Sequence, residues 1–160
     1  MVCTIISAGD ELLLRNKNEY EKPYPMIKDK LQDMIWGLYR KGYDTFCMNC
    51  EYGIPLWSAE FICLQKAAGN PIMLNLFTPY EEQSVEWVES HRVRFFNVHA
   101  LSDESILVNT QYTSDSYQEA NERMVDESDL LIICGKKGSM PEIEKYATQQ
   151  SVQVYYYPVL

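Results

Sequence analysis

At 160 residues, with a formal net charge of −9 and 46% hydrophobic content, the chain is expected to form one domain, residues 1–160, large enough to bury a full core. The acidic balance speaks against nucleic acid as a partner, because an acidic surface repels phosphates. No apolar run reaches the length of a membrane span, and Met1–Ile6 is too short, with no basic residues before it, for a secretory signal, so a cytoplasmic protein without membrane attachment is expected.

Val2–Ser7 reads as a first strand. Ala8 to Pro25 is polar, contains Tyr and Pro, and is long for an ordinary connection, which suggests a flap over a site. Ile27, Leu31, Met34, Ile35 and Leu38 fall at helical spacing, and Lys41-Gly42 ends that helix. Thr45–Met48 reads as a buried strand, followed by a helix from Ile54 to Ala68, apolar on nearly every side and closed by Gly69 and Pro71. Pro71–Phe77 is a third strand.

Thr78-Pro79-Tyr80-Glu81 has the form of a capping box with Pro at the first helical position, so a helix carrying Val85 and Val88 inward is expected from there. Residues 90–114 carry no clear pattern beyond a short strand at Ile106-Leu107-Val108. Two further capping boxes, at Ser116 and Ser139, are expected to open helices, the first presenting Tyr117, Ala120, Met124 and Val125 on one face. Leu130–Cys134 and Val152–Tyr157 complete the strands. Strands that alternate with helices and are apolar on both faces predict an α/β fold: a mainly parallel sheet of about five to six strands with helices on both faces.

In such a sheet a ligand sits beyond the carboxyl ends of the strands. This gathers four loops: Ser7-Ala8-Gly9, Asn49–Gly53 with Cys50, Thr78-Pro79, and Gly135-Lys136-Lys137-Gly138-Ser139. Three of them run into helix N-termini, where backbone N–H groups and the helix dipole suit a phosphate. A nucleotide-sized ligand fits, and no G-x-G-x-x-G follows the first strand to favour a dinucleotide.

The segments Gly53-x-x-Leu56-Trp57-Ser58-Ala59-Glu60, Phe77-Thr78-Pro79-Tyr80-Glu81-Glu82-Gln83 and Asn121-x-x-Met124-Val125-Asp126-x-Ser128-Asp129-Leu130-Leu131 resemble the YpsA-like branch of the SLOG superfamily. The resemblance implies a Rossmann-like three-layer sandwich related to the Lonely Guy phosphoribohydrolases and the DNA-processing protein DprA, with a nucleotide, nucleotide derivative or nucleotide sugar as ligand. It also implies pairing into a homo-oligomer. There are departures. Asn49 and Cys50 stand where relatives often have glycines, Pro55 replaces a common Asp, and Ser7-Ala8-Gly9-Asp10 replaces a Thr-Gly-His-Arg-Pro type of turn. Lys136-Lys137 take the place of the double glycine of the phosphoribohydrolases, and their catalytic Arg falls near Glu122 or Arg123.

Each candidate side chain has a plainer reading beside the functional one. Glu142 keeps the position of the phosphoribohydrolase carboxylate but also fits the third position of a capping box. Trp57 could stack on a base or close the core, and Glu60, one turn later, suits the helix dipole. Lys136 and Lys137 could meet phosphate or simply be loop lysines. The five cysteines, odd in number and set in apolar runs, read as reduced buried thiols. Cys47-x-x-Cys50 is poorly placed for redox work, and neither histidine has zinc-ligand spacing, so no metal is expected. A nucleotide-derivative-binding sensor or regulator is the leading expectation. A nucleotide N-glycosidic hydrolase using Glu142, or an interaction module with a vestigial pocket, are the alternatives.

Overall fold

The computed structural model describes residues 1–9 and 18–159. Strands and helices alternate as β1 (Val2–Ser7), α1 (Tyr24–Arg40), β2 (Thr45–Met48), α2 (Ile54–Ala67), β3 (Met73–Thr78), α3 (Glu89–Leu101), β4 (Glu104–Leu107), α4 (Ser116–Asp126), β5 (Leu130–Cys134), α5 (Pro141–Gln149) and β6 (Gln153–Tyr156). The strands form one sheet in the order β4-β3-β2-β1-β5-β6, with every neighbouring pair parallel. The expected α/β sandwich is therefore found, with six strands.

Alternation along the central strands sends side chains into two cores. Cys3, Ile5, Phe46, Met48, Leu74 and Leu76 pack under α1, α2 and α3, through residues such as Ile27, Leu31, Ile62 and Phe95. Ile6, Cys47, Phe77, Leu131 and Ile133 face α4 and α5, meeting Met124, Val125, Ile143 and Ala147. Helix α2 contacts the sheet, α1 and α3, which accounts for its apolar perimeter: Ile54 through Ala59, Ile62 and Cys63 are all buried. The surface that the sequence left for a partner on this helix is thus largely consumed within the chain, although Leu64 stays 65% exposed.

Polar groups fix the sheet at its amino edge. The N–H of Asp129 donates to Val2 O (2.9 Å) and its Oδ2 accepts from Val2 N (2.8 Å), so this residue sets the entry of β5 beside β1. Thr4 Oγ1, inside the sheet, lies 2.7 Å from Ser128 Oγ and bonds Met124 O, tying β1 to the end of α4.

Three local expectations need correction. No helix starts at Pro79. Residues 81–86 form a succession of turns, α3 begins at Glu89, and Val85 and Val88 point outward. The interior instead takes Gln83 and Ser84, and a polar side chain anchored inside overrides the local cap signal. At α4 the cap position belongs to Asp115, while Ser116 Oγ accepts from Thr113 N and Glu119 accepts from Asn109. At α5, Ser139 Oγ donates to Lys136 O, and the back-bonding carboxylate is Glu144, not Glu142: it accepts from the N–H groups of Gly138 (2.9 Å) and Met140 (3.0 Å).

Candidate functional site

The winding reverses beside β1. Strands β2 to β4 lie on one side of it, β5 and β6 on the other, so the switch point opens at the carboxyl ends of β1 and β5. Ser7 pairs with Cys134 there, and Ala8 N donates to Cys134 O (3.2 Å). The crossing is close: a Cβ on Gly135 would stand 2.8 Å from the Cβ of Ala8, which leaves room only for glycine. Gly138 differs, since a Cβ there would meet open space and its requirement is the positive φ of 84°. Ser7 is 6% exposed, and its hydroxyl has no hydrogen-bond partner among the described residues. Gly9 continues this turn at φ 92°; the flap suggested between Ala8 and Pro25, like Asp10, falls on residues 10–17 outside the described part, apart from its two ends.

At the end of β2, Asn49 is a junction. Its Nδ2 donates to Asn121 Oδ1 of α4 (3.0 Å), its Oδ1 accepts from Glu51 N (3.0 Å), and its carbonyl accepts from Gln83 Nε2 (2.9 Å). Three segments far apart in sequence are joined through one side chain and one carbonyl. Asn121 and Gln83 were not among the candidate residues, although each stands at an end of a segment that carries the family resemblance. The backbone then turns through Cys50 at φ 54° and Gly53 at φ 112° into the N-terminus of α2. Tyr52 holds this turn against α3 by stacking on His91, with ring centroids 4.2 Å apart. Thr78, at the end of β3, is buried, and its carbonyl accepts from Val108 N.

Trp57 and Glu60 belong to a charged cluster under the same edge. Trp57 is 5% exposed and donates its indole N–H to Glu19 Oε2 (2.7 Å). Its ring also meets Tyr24 edge-on and lies 4.9 Å below the Lys28 ammonium. Glu60 holds Arg94 with both oxygens (2.6 and 2.8 Å), and Arg94 also binds Glu19. Burial pushes the Glu19 carboxyl up, but hydrogen bonds and charge from Arg94 and Lys28 outweigh it and leave its pKa below the ordinary value.

At the Gly135–Ser139 loop, Lys136, Lys137 and Ser139 are exposed. The N–H groups of Gly138 and Met140, just ahead of α5, are engaged by Glu144, so Glu142 does not fill that cap and is exposed. The cysteines offer no paired chemistry: Cys47 lies in the core under α4 and α5 and Cys50 in the opposite one, and burial pushes the Cys47 thiol up to about 12. Among the described residues, no group of three or more His, Cys, Asp or Glu is placed to hold a metal ion.

A cleft of about 1040 Å³ lies beyond the ends of β2, β3 and β4. Its walls are Glu51, the turns between Tyr80 and Trp87, residues 110–112 and Tyr117. Of the four candidate loops only Asn49–Gly53 reaches it, through Glu51, and the other candidate side chains do not line it. They flank it instead, with Asn49 and Cys50 just before Glu51 and Thr78 just before the turns.

The family model described as the YspA SLOG family, short name YpsA, matches residues 11–156. The chain belongs to this family. Similar members are a UPF0398 protein of Listeria monocytogenes, 27% identical over 152 residues (92% of this chain, 82% of that one), and the UPF0398 protein YpsA of Bacillus subtilis, 23% identical over 145 residues (85% and 81%). A UPF0398 protein of Halalkalibacterium halodurans is 28% identical over 109 residues, which span 67% of this chain and 58% of that relative. In this YpsA-family chain, no helix among the described residues is long and apolar enough to cross a membrane.

Proposed function

We propose that this YpsA-family protein is a cytoplasmic sensor or regulator that binds a nucleotide or nucleotide derivative at the carboxyl edge of β1, β2 and β5, with little or no turnover. The observation that carries the reading is the Ser7 hydroxyl, buried and without a hydrogen-bond partner among the described residues at the switch point of a parallel sheet, where a ligand hydroxyl or phosphate can satisfy it. Phosphate belongs over the turn Asn49–Gly53 at the start of α2 rather than over α5, whose seat is held by Glu144. Lys136 and Lys137 supply positive charge on the rim. Low turnover follows from the departures at the phosphoribohydrolase positions: Glu122 is bonded by Gln118, and Arg123 is exposed.

Calorimetry with a panel of adenine and guanine nucleotides tests this. Ser7→Ala is expected to weaken binding about fivefold, the worth of one hydrogen bond, and Lys136→Ala with Lys137→Ala to weaken it and flatten its salt dependence. No binding of any nucleotide at millimolar concentration would remove the proposal and favour an interaction module. A hydrolytic reading draws on Glu142, exposed and released from the helix cap. Glu142→Gln would then lower glycosidic hydrolysis on the order of 10²-fold while leaving binding intact. The exposed Leu64 of α2 and Phe96 and Leu101 of α3 support self-association through the outer helical layer. Sedimentation at micromolar concentration giving only an 18.7 kDa species would exclude it.

A further inference from the structure

The cleft beyond β2, β3 and β4 has a chemistry opposite to that of a phosphate site. Four carboxylates line it, those of Glu51, Glu81, Glu82 and Glu86, and among the described residues no Lys or Arg does. A nucleotide phosphate entering here would meet only like charge. Four aromatic side chains share the wall: Tyr80 stands between Tyr112 and Tyr117, with centroids 5.0 and 6.1 Å away and near-perpendicular planes, and Trp87 is the fourth. Ring faces beside carboxylates attract organic cations, because the quadrupole and the charges act with the same sign.

A separate observation concerns Gln83, which lines the cleft and is 3% exposed. Its Nε2 is committed to Asn49 O at 2.9 Å, which fixes the orientation of the amide. The carbonyl Oε1 has no hydrogen-bond partner among the described residues. A buried acceptor in that state is destabilising and calls for a donor. The site therefore offers acceptors and aromatic faces together and asks for N–H groups carrying positive charge. A bare metal ion does not answer this, since the carboxylates do not converge on a point.

We propose that this acidic, tyrosine-lined cleft binds a small organic cation carrying primary ammonium or guanidinium groups, whose N–H donors reach the glutamates and Gln83 Oε1 while its alkyl chain or planar head lies against the tyrosines. The cleft adjoins the switch-point crevice at Glu51, but its aromatic and acidic walls come from the segments after β3 and β4, and binding here does not depend on the nucleotide reading.

The test is calorimetric titration of the whole chain with spermidine and with agmatine, at low and at physiological salt. The exposed triple variant Glu81→Gln/Glu82→Gln/Glu86→Gln leaves Gln83 and its bond to Asn49 in place. It should weaken both ligands by at least about tenfold, as three charge contacts are lost. A triple of equal charge change at distant exposed sites, Asp33→Asn/Glu104→Gln/Glu127→Gln, should stay within about twofold of the unmodified chain, because screening confines charge effects to the neighbourhood. Tyr112→Ala should weaken binding about threefold through loss of a cation–π face. Equal loss in the two triples would mean diffuse attraction to an acidic protein and would overturn the proposal. So would displacement by equimolar magnesium, or no heat with either cation at about 5 mM, weaker than any specific site of this kind.

Discussion

Replacing Glu19 with Gln probes the charged cluster that anchors the segment entering α1. Glu19 is 5% exposed and accepts from Trp57 Nε1, from Lys28 Nζ at 3.0 Å and from two nitrogens of Arg94. Losing one partner of a fully buried ion pair costs about 3–5 kcal/mol. Here the loss is smaller, because Arg94 keeps Glu60 and the side chains of Arg94 and Lys28 are 21% and 25% exposed. Glu19→Ala should therefore cost about 2–3 kcal/mol, and Glu19→Gln, which retains an acceptor for the indole, about 1–2 kcal/mol. Urea unfolding followed by tryptophan fluorescence reads this directly, a loss of 2 kcal/mol moving the midpoint by about 1 M. The pH dependence follows from the sign of the shift. The folded pKa of Glu19 lies below the unfolded one, so its ionic contribution is complete above the unfolded glutamate value of about 4.3 and fades as pH falls through the folded value. The gap between the original chain and Glu19→Gln should be widest at neutral pH and close in acid. A loss under about 0.5 kcal/mol at pH 7, within the range of ordinary surface substitutions, would refute the anchor.

Gly135→Ala should destabilise by about 1–3 kcal/mol through the clash with Ala8, and Gly138→Ala by about 1 kcal/mol through its backbone conformation alone; thermal unfolding ranks the two, and the reverse order would contradict the close crossing. Glu144→Ala should cost about 1 kcal/mol as α5 loses its cap bonds, whereas Glu142→Ala should stay within about 0.5 kcal/mol in the same urea assay. All five thiols are buried, and burial pushes Cys63 up to about 11, so the native chain should resist a thiol reagent at pH 8 and react fully in denaturant. Rapid formation of a Cys47–Cys50 disulfide on mild oxidation would contradict their placement in opposite cores.

The strands β1, β2 and β5 have the bounds their apolar runs indicate, because a strand buried on both faces leaves little doubt about where burial ends. Helix α3 was not legible. Only Phe95 and Val98 are buried, while Val93, Phe96 and Leu101 are exposed, so no apolar stripe marks it. Thr78–Glu81 misleads for a different reason, since its cap pattern is local and the burial of Gln83 is a tertiary effect. Near α5, Glu142 and Glu144 are both close enough to bond back to the loop, and only the true start of the helix at Pro141 decides between them. The loops at the switch point were readable from topology. The Glu19–Arg94 pair, 75 residues apart, and the acidic cleft, built from three separate segments, were not, because neither leaves a local mark in the chain.

The carboxylate of Glu144 at the head of α5 behaves as a tethered competitor. Held six residues from Gly138, it is presented to those N–H groups at an effective concentration in the millimolar range, as for any short tether. A free anion must exceed that local supply before it can occupy the loop. The Tyr156 hydroxyl, 2.5 Å from the same carboxylate, strengthens the incumbent further. Inorganic phosphate or sulfate would have to displace a carboxylate already in place before it could occupy this end of the crevice, so the chain itself guards the loop against small free anions.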